Sequence, residues 1–221
     1  MKDLYIVANW KENKSLREAS EWVSAFTISE LDLESKQVVI CSSFTLLGFL
    51  KSKILAQNLP FKIGAQDVSS FEEGPYTGET SARQVKDYAD FVIIGHSERR
   101  KNFNEDDNLL AKKVSLSVSQ GISPIFCVSD LDMIIPQEVK IVAYEPIAAI
   151  GTGNPDSPED ADSIAKKIKD SNENVTHVLY GGSVTSENVT SFTKMENIDG
   201  VLVGGESLDP LEFLKIVKNA Q

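Results

Sequence analysis

Eight short apolar runs rich in β-branched residues recur along the chain with helix-like segments between them, and this alternation constrains the fold more than any other feature. The predicted strands are Leu4 to Asn9, Gln37 to Ser42, Phe61 to Gln66, Phe91 to Gly95, Ile122 to Cys127, Val139 to Tyr144, His177 to Gly181 and Gly200 to Val203. The predicted helices are Leu16 to Phe26, Thr45 to Asn58, Ser81 to Tyr88, Asp106 to Gln120, Pro158 to Asp170, Ser186 to Met195 and Pro210 to Lys218. Eight units in 221 residues average about 28 residues each, which favours a closed parallel (β/α)8 barrel over an open doubly wound sheet. We therefore predict one α/β domain covering residues 1–221.

The fifth unit of this pattern is too short. Between Cys127 and Val139 there is room for about a turn or two of helix, so we expect a strongly shortened fifth helix. Strand surface left uncovered there needs apolar partners or a contact with another subunit. The side chains that we expect to supply them are Leu131, Met133, Ile134 and Ile135.

Charge and cysteine content restrict the partners and the compartment. A formal net charge of −11 argues against nucleic acid or an anionic membrane surface as the main target, although local groups can still capture small anions. The only cysteines, Cys41 and Cys127, lie in apolar runs, as buried thiols of a reducing compartment do. The N-terminal stretch lacks a signal-peptide pattern, and no apolar run is long enough to span a bilayer. We expect a cytoplasmic protein.

Polar side chains follow three of the predicted strands, at the barrel end where active sites of this architecture lie. They are Asn9 and Lys11 after the first strand, His96, Ser97 and Glu98 after the fourth, and Glu145 after the sixth. Singly, Asn9 suits a turn, Lys11 a solvated surface and His96 a structural position. Their convergence favours a joint site, whereas His177 has no comparable polar surroundings and is interpreted as structural.

Three glycine-rich segments point to an anion near the same end. Gly151 and Gly153 flank Thr152 soon after Glu145, so the backbone there can approach a ligand closely, although an ordinary strand-to-helix connection has the same pattern. Glycine pairs also follow the seventh strand, in YGGSV, and the eighth strand, in VLVGGES. Backbone N–H groups at paired glycines bind phosphate at this position in α/β barrels.

Several motifs in this order resemble the triosephosphate isomerase family over nearly the whole chain. They are ANWK, GAQDV with GPYTGE, FVIIGHSERR with FNEDD, AYEP with AIGTG, YGGSV and GVLVGGES. The resemblance implies a TIM barrel that interconverts dihydroxyacetone phosphate and glyceraldehyde 3-phosphate with no metal or organic cofactor.

The family's functional residues map onto positions of this chain. The resemblance implies that Glu145 is the base, that neutral His96 polarises the carbonyl, and that Lys11 and Asn9 stabilise the oxyanion, as in the established account of this enzyme family. It also implies phosphate binding by Gly151, Ser183, Gly204 and Gly205, with support from Ser97 and Glu98. The segment Gly64 to Glu79 resembles the family's dimer loop, in which Thr77 would reach the partner subunit. A homodimer is expected, and the short fifth unit leaves a tetramer open.

The chain departs from the family at a few positions, and two other functions stay open. Ala148 replaces a hinge tryptophan, and Asn154, Pro155 and Asp156 replace the usual second hinge. Glu206, where the family commonly has alanine, either places an acid near the phosphate or points away. The alternatives are a barrel enzyme for another phosphosugar and a non-catalytic barrel that serves as an assembly module.

Overall fold

Eight parallel strands close into a barrel in sequence order, as predicted. A computed structural model describes residues 2–27, 33–146 and 155–221. The strands are β1 (Leu4–Asn9), β2 (Lys36–Ser42), β3 (Lys62–Ala65), β4 (Phe91–Ile94), β5 (Ser123–Val128), β6 (Ile141–Tyr144), β7 (His177–Tyr180) and β8 (Gly200–Val203). The register is continuous around the barrel, and Ala8 pairs with Ile40 on one side and with Val203 on the other.

Helices follow most strands and cover the outside of the barrel. The described part of the chain has α1 (Leu16–Ser24), α2 (Phe44–Ala56), α3 (Ala82–Lys86), α4 (Ser97–Phe103), α5 (Asp107–Ser119), α6 (Pro158–Ser171), α7 (Val189–Thr193) and α8 (Pro210–Asn219). The helix predicted from Ser186 to Met195 was too long, because the backbone N–H of Thr185 donates to Asn188 Oδ1 at 2.8 Å and holds a turn before α7. Helix α4 was not predicted, since none of its residues is buried and it therefore has no apolar period.

The core has two layers, because each strand alternates its side chains between the barrel interior and the helices. Val7, Val39, Ile93 and Ile125 belong to the interior layer. Cys41 and Cys127 lie in the same layer and are fully buried, as the sequence predicted. Burial raises the pKa of both thiols.

The connection between β5 and β6 is shortened as expected, and it contains turns in place of a helix. The backbone N–H of Asp132 donates to Asp130 Oδ1 in one of these local turns. Met133 and Ile135 pack against the outer core layer as expected. Leu131 and Ile134 remain 48% and 68% exposed, so only two of the four apolar side chains expected to cover the strands pack against this layer.

None of the helices in the described ranges is both long and apolar enough to cross a bilayer.

Candidate active site

A cavity of about 290 Å³ opens at the C-terminal mouth of the barrel. It collects residues that follow β1, β4, β6, β7 and β8, so distant parts of the sequence meet at one place. Its lining consists of Asn9, Lys11, His96, Glu145, Gly181, Gly182, Ser183, Val184, Thr185, Asn188, Leu202, Gly204, Gly205 and Glu206.

The exit from β1 places Asn9 and Lys11 at the cavity. The amide oxygen of Asn9, which is 5% exposed, accepts a hydrogen bond of 3.1 Å from the backbone N–H of Lys11. Lys11 has a φ of +52°, a left-handed conformation that this local hydrogen bond helps to stabilise. Its ammonium lies 2.5 Å from Glu98 Oε1, so the cation is already paired with a carboxylate.

The exit from β4 turns directly into α4, and His96 caps that helix. His96 Nδ1 accepts a hydrogen bond of 3.2 Å from the backbone N–H of Glu98. A nitrogen that accepts cannot carry a proton, so this pattern assigns the proton to Nε2 of a neutral ring. Nε2 lies 3.0 Å from Glu145 Oε1.

Glu145 directly follows β6 and is only 2% exposed. Its Oε2 accepts a hydrogen bond of 3.0 Å from the backbone N–H of Ser97, and its Oε1 lies 3.0 Å from His96 Nε2. The carboxylate therefore lies at the N-terminal end of α4, where backbone donors favour negative charge. A Cβ atom at Gly181 would lie 3.0 Å from Glu145 Cγ, so the glycine after β7 leaves room for this side chain.

The cavity edge beyond β7 and β8 is lined by glycines and backbone donors. Among the described residues, the N–H groups of Gly204 and Gly205 have no hydrogen-bond partner. A Cβ at Gly205 would meet no atom within 4 Å, whereas one at Gly182 would lie 2.2 Å from the Tyr180 hydroxyl. The edge therefore has open space beside Gly205, and Gly182 is required for packing. Ser183 belongs to the same lining.

A 3₁₀ turn, Gly205–Leu208, holds this edge in place. The Ser207 hydroxyl donates to the carbonyl of Gly204 at 2.6 Å. The indole N–H of Trp22, buried in α1, donates to the carbonyl of Ser207 at 3.0 Å. The backbone of the glycine pair is thus anchored to the outer core before any ligand binds.

Two tyrosines that the sequence analysis missed fix the chain beyond the glycine loop. The Tyr180 hydroxyl accepts a hydrogen bond of 2.9 Å from the backbone N–H of Asp156, and the Tyr144 hydroxyl donates to Asp156 Oδ2 at 3.4 Å. Burial and the adjacent Asp156 raise the pKa of Tyr144 to about 12. The only available signal was their position at the ends of β6 and β7. Gly151, Ala148 and Asn154 lie outside the described residues.

The remaining predicted residues lie away from this cavity. Thr77 is exposed in the connection between β3 and α3, beside the stacked rings of Phe71 and Tyr76. His177 begins β7, at the opposite end of the barrel, and its ring packs against Tyr5 at 4.9 Å. Its pKa is lowered by burial, and the contact with Tyr5 agrees with the structural interpretation.

Comparisons with known proteins show the family to which the chain belongs. The family model for triosephosphate isomerase matches residues 4–138 and 129–220, two segments that overlap in the connection without a helix. Triosephosphate isomerase of Aquifex aeolicus is 38% identical, over 96% of this chain and 97% of the relative. The enzymes of Dictyoglomus turgidum and Thermodesulfovibrio yellowstonii are 36% and 37% identical, over 99% and 97% of this chain and 100% and 98% of the relatives. The chain belongs to the triosephosphate isomerase family.

Proposed function

We propose that this chain interconverts dihydroxyacetone phosphate and D-glyceraldehyde 3-phosphate through an enediolate, in glycolysis and gluconeogenesis. The observation that carries the proposal is the contact of 3.0 Å between Nε2 of neutral His96 and Oε1 of the buried carboxylate of Glu145. It places a proton donor and a base side by side in a cavity of about 290 Å³. Moving a proton between adjacent carbons requires these two groups.

Glu145 acts as the base. Its carboxylate removes a proton from C1 of dihydroxyacetone phosphate, and the electron pair of that C–H bond forms the C1–C2 double bond. The carbonyl electrons move to O2, which becomes the enediolate oxygen. Return of the same proton to C2 gives the aldehyde, so the base is regenerated and no redox partner is needed.

His96 supplies the proton on the oxygen side. Its Nε2 lies 3.0 Å from Glu145 Oε1 in this structure, and a bound carbonyl oxygen accepts the hydrogen bond of its N–H group. Since Nδ1 is held by the backbone N–H of Glu98, the ring keeps its proton directed at the substrate. The same nitrogen then moves a proton between O1 and O2 of the enediolate, as in the established account of this enzyme family.

Lys11 and Asn9 stabilise the negative charge that develops on the oxygen. Donors of this kind, already in place before reaction, contribute about 3 kcal/mol each to transition-state binding. Lys11 is positioned by its pairing with Glu98 at 2.5 Å. Ser97 contributes through its backbone N–H, which holds Glu145.

The substrate's phosphate binds at the glycine edge of the cavity. The N–H groups of Gly204 and Gly205 have no partner among the described residues, a Cβ at Gly205 would meet no atom within 4 Å, and Ser183 lies in the same lining. Gly151 completes this set by resemblance to the family. No metal or organic cofactor takes part in the proposed reaction.

The proposed active form is a homodimer in the cytoplasm, with 1–221 as one domain. A second cavity, of about 390 Å³, lies on the far side of Lys11 and is lined by Glu98 and Gln66 among others. The exposed connection that carries Thr77, Phe71 and Tyr76 is suited to fill the same cavity of a partner subunit. The exposed Leu131 and Ile134 leave a tetramer open.

A coupled isomerase assay on the wild type and Glu145→Asp tests the proposed function. Withdrawing the carboxylate by one methylene, about 1 Å, is expected to lower kcat by about 10²-fold. Glu173→Asp, an exposed carboxylate before β7, is the matched control and should leave kcat unchanged. A non-catalytic assembly module would show no turnover, and an enzyme for another phosphosugar would not convert the triose phosphates. If Glu145→Asp leaves kcat unchanged, the assignment of Glu145 as the base is contradicted.

A further inference from the structure

Glu206 places an unpaired carboxylate at the edge of the cavity where the phosphate is proposed to bind. It lines the cavity directly after Gly204 and Gly205, and it is exposed. Within the described ranges, its side chain makes no hydrogen bond or ion pair. The side chain of Glu206, the second residue of the 3₁₀ turn, therefore makes no stabilising contact with the described part of the protein.

The charges of the cavity lining do not favour an anion. Among the described lining residues, Lys11 carries the positive charge, and Glu145 and Glu206 carry negative ones. Lys11 is already matched by Glu98, whose Oε1 lies 2.5 Å from its ammonium. A phosphate ester brings close to two further negative charges at pH 7. Backbone N–H groups thus have to bind the phosphate against a net negative surrounding.

We propose that Glu206 is a specificity-determining residue that weakens the binding of dianionic phosphate groups by electrostatic repulsion. The inference rests on the phosphate position in the proposed function. The phosphate takes no part in bond making or breaking, so a repulsive charge beside it acts on the bound substrate and on the transition state alike. Such an effect raises KM and leaves kcat little changed.

Ionic strength distinguishes this effect from a change in shape. The Debye length, over which exposed charges are screened, is about 10 Å at 0.1 M salt. Added salt therefore weakens both repulsion and attraction between exposed charges. In the wild type the phosphate meets a net negative surrounding, so added salt should lower KM. Removing the charge of Glu206 weakens the repulsion, so the fall of KM with salt should become smaller.

The test compares the wild type with Glu206→Gln, which has the same shape without the charge. The expected result is a KM about three- to tenfold lower at low salt, with a difference from the wild type that shrinks as salt is added. Glu173→Gln makes the same change in net charge at an exposed position before β7, away from the cavity, and should match the wild type. An unchanged or higher KM in Glu206→Gln would overturn the proposal.

Binding of inorganic phosphate, measured by titration calorimetry on the folded proteins, gives a readout that does not depend on turnover. Tighter binding by Glu206→Gln than by Glu173→Gln supports the repulsion even if the wild type has no isomerase activity, in which case only the proposed function fails. Equal or weaker binding by Glu206→Gln overturns the inference even if the wild type is fully active.

Discussion

Two groups of charged side chains flank helix α4, and they differ in how completely their charges are paired. The mouth cluster consists of Lys11, His96, Glu98 and Glu145, and the support cluster consists of Asp67, Arg99, Glu105 and Lys113. Both include residues of the same short helix, yet only the mouth cluster opens into a cavity of about 290 Å³.

The support cluster balances two cations against two carboxylates. Lys113 Nζ lies 2.5 Å from Asp67 and 2.6 Å from Glu105, and Arg99 lies 2.8 Å from each of the same carboxylates. Burial raises the pKa of Asp67. Burial acts in the same direction on Glu105, but hydrogen bonds from Lys113 and Arg99 outweigh it and lower the pKa of that carboxyl. Such a network holds α4 against the barrel and leaves no cation for a ligand.

The mouth cluster has more carboxylates than cations, and its hydrogen bonds are of a kind that a substrate can replace. His96 Nε2 and Glu145 Oε1 lie 3.0 Å apart. A substrate that enters between them would meet the N–H group of the ring on one side and the carboxylate on the other. The comparison teaches that equal numbers of cations and carboxylates stabilise a fold, although Glu105 Oε2 has no hydrogen-bond partner among the described residues, whereas an excess carboxylate beside a donor is available for chemistry.

His96→Gln is expected to have the largest effect, and it should reduce kcat much more than the free energy of unfolding. Glutamine can donate a hydrogen bond but cannot transfer a proton at neutral pH, so kcat should fall by about 10²- to 10⁴-fold. The free energy of unfolding should fall by only about 1 kcal/mol, since the main structural loss is the cap of α4. Coupled assays and urea titrations measure the two quantities. A loss of several kcal/mol with intact kcat would reverse the contrast between the clusters.

Lys113→Met should act in the opposite way. It leaves two buried carboxylates with only Arg99, which should lower the free energy of unfolding by about 3 to 5 kcal/mol. Turnover per folded molecule should remain near the wild-type value, because Lys113 does not line the cavity. Lys112→Met, at the exposed neighbouring position, is the control for urea unfolding and should differ little from the wild type.

Glu105→Gln tests the support cluster through pH. The folded-state pKa of Glu105 is below its ordinary value of 4.5, so the ionised group stabilises the fold above that pH, and the stabilisation is lost as pH falls through the folded pKa. The variant should be less stable by about 1 to 3 kcal/mol at pH 7, and the deficit should shrink below pH 4.5. Urea titrations from neutral to acid pH measure it. A deficit that stays constant with pH would show that charge at Glu105 is unimportant.

Glu98→Gln should have the smallest effect on stability. The Lys11–Glu98 pair is partly exposed, and pairs of this kind contribute less than about 1 kcal/mol. Urea titrations of Glu98→Gln and Lys113→Met under the same conditions compare their free energies of unfolding directly. A loss of several kcal/mol would place Glu98 with the support cluster.

Much of the fold was predictable because barrel strands are buried on both faces and read as apolar runs. The polar residues that end β1, β4 and β6 were predictable for the same reason, since they interrupt those runs. The bounds of α7 were predicted poorly, and α4 was missed because none of its residues is buried. Nothing in the local sequence marks Lys113 as buried, because a lysine in a helix is usually exposed.

The sequence alone determined the number and order of the strands, the family, and the candidates Glu145, His96, Lys11 and Asn9. Only the tertiary structure decided that His96 Nε2 and Glu145 Oε1 lie 3.0 Å apart, and that Glu206 lines the cavity. The reason is physical. Apolar periodicity is a local property of the chain, whereas distances between side chains of different strands depend on barrel closure, which brings together residues that are far apart in the sequence.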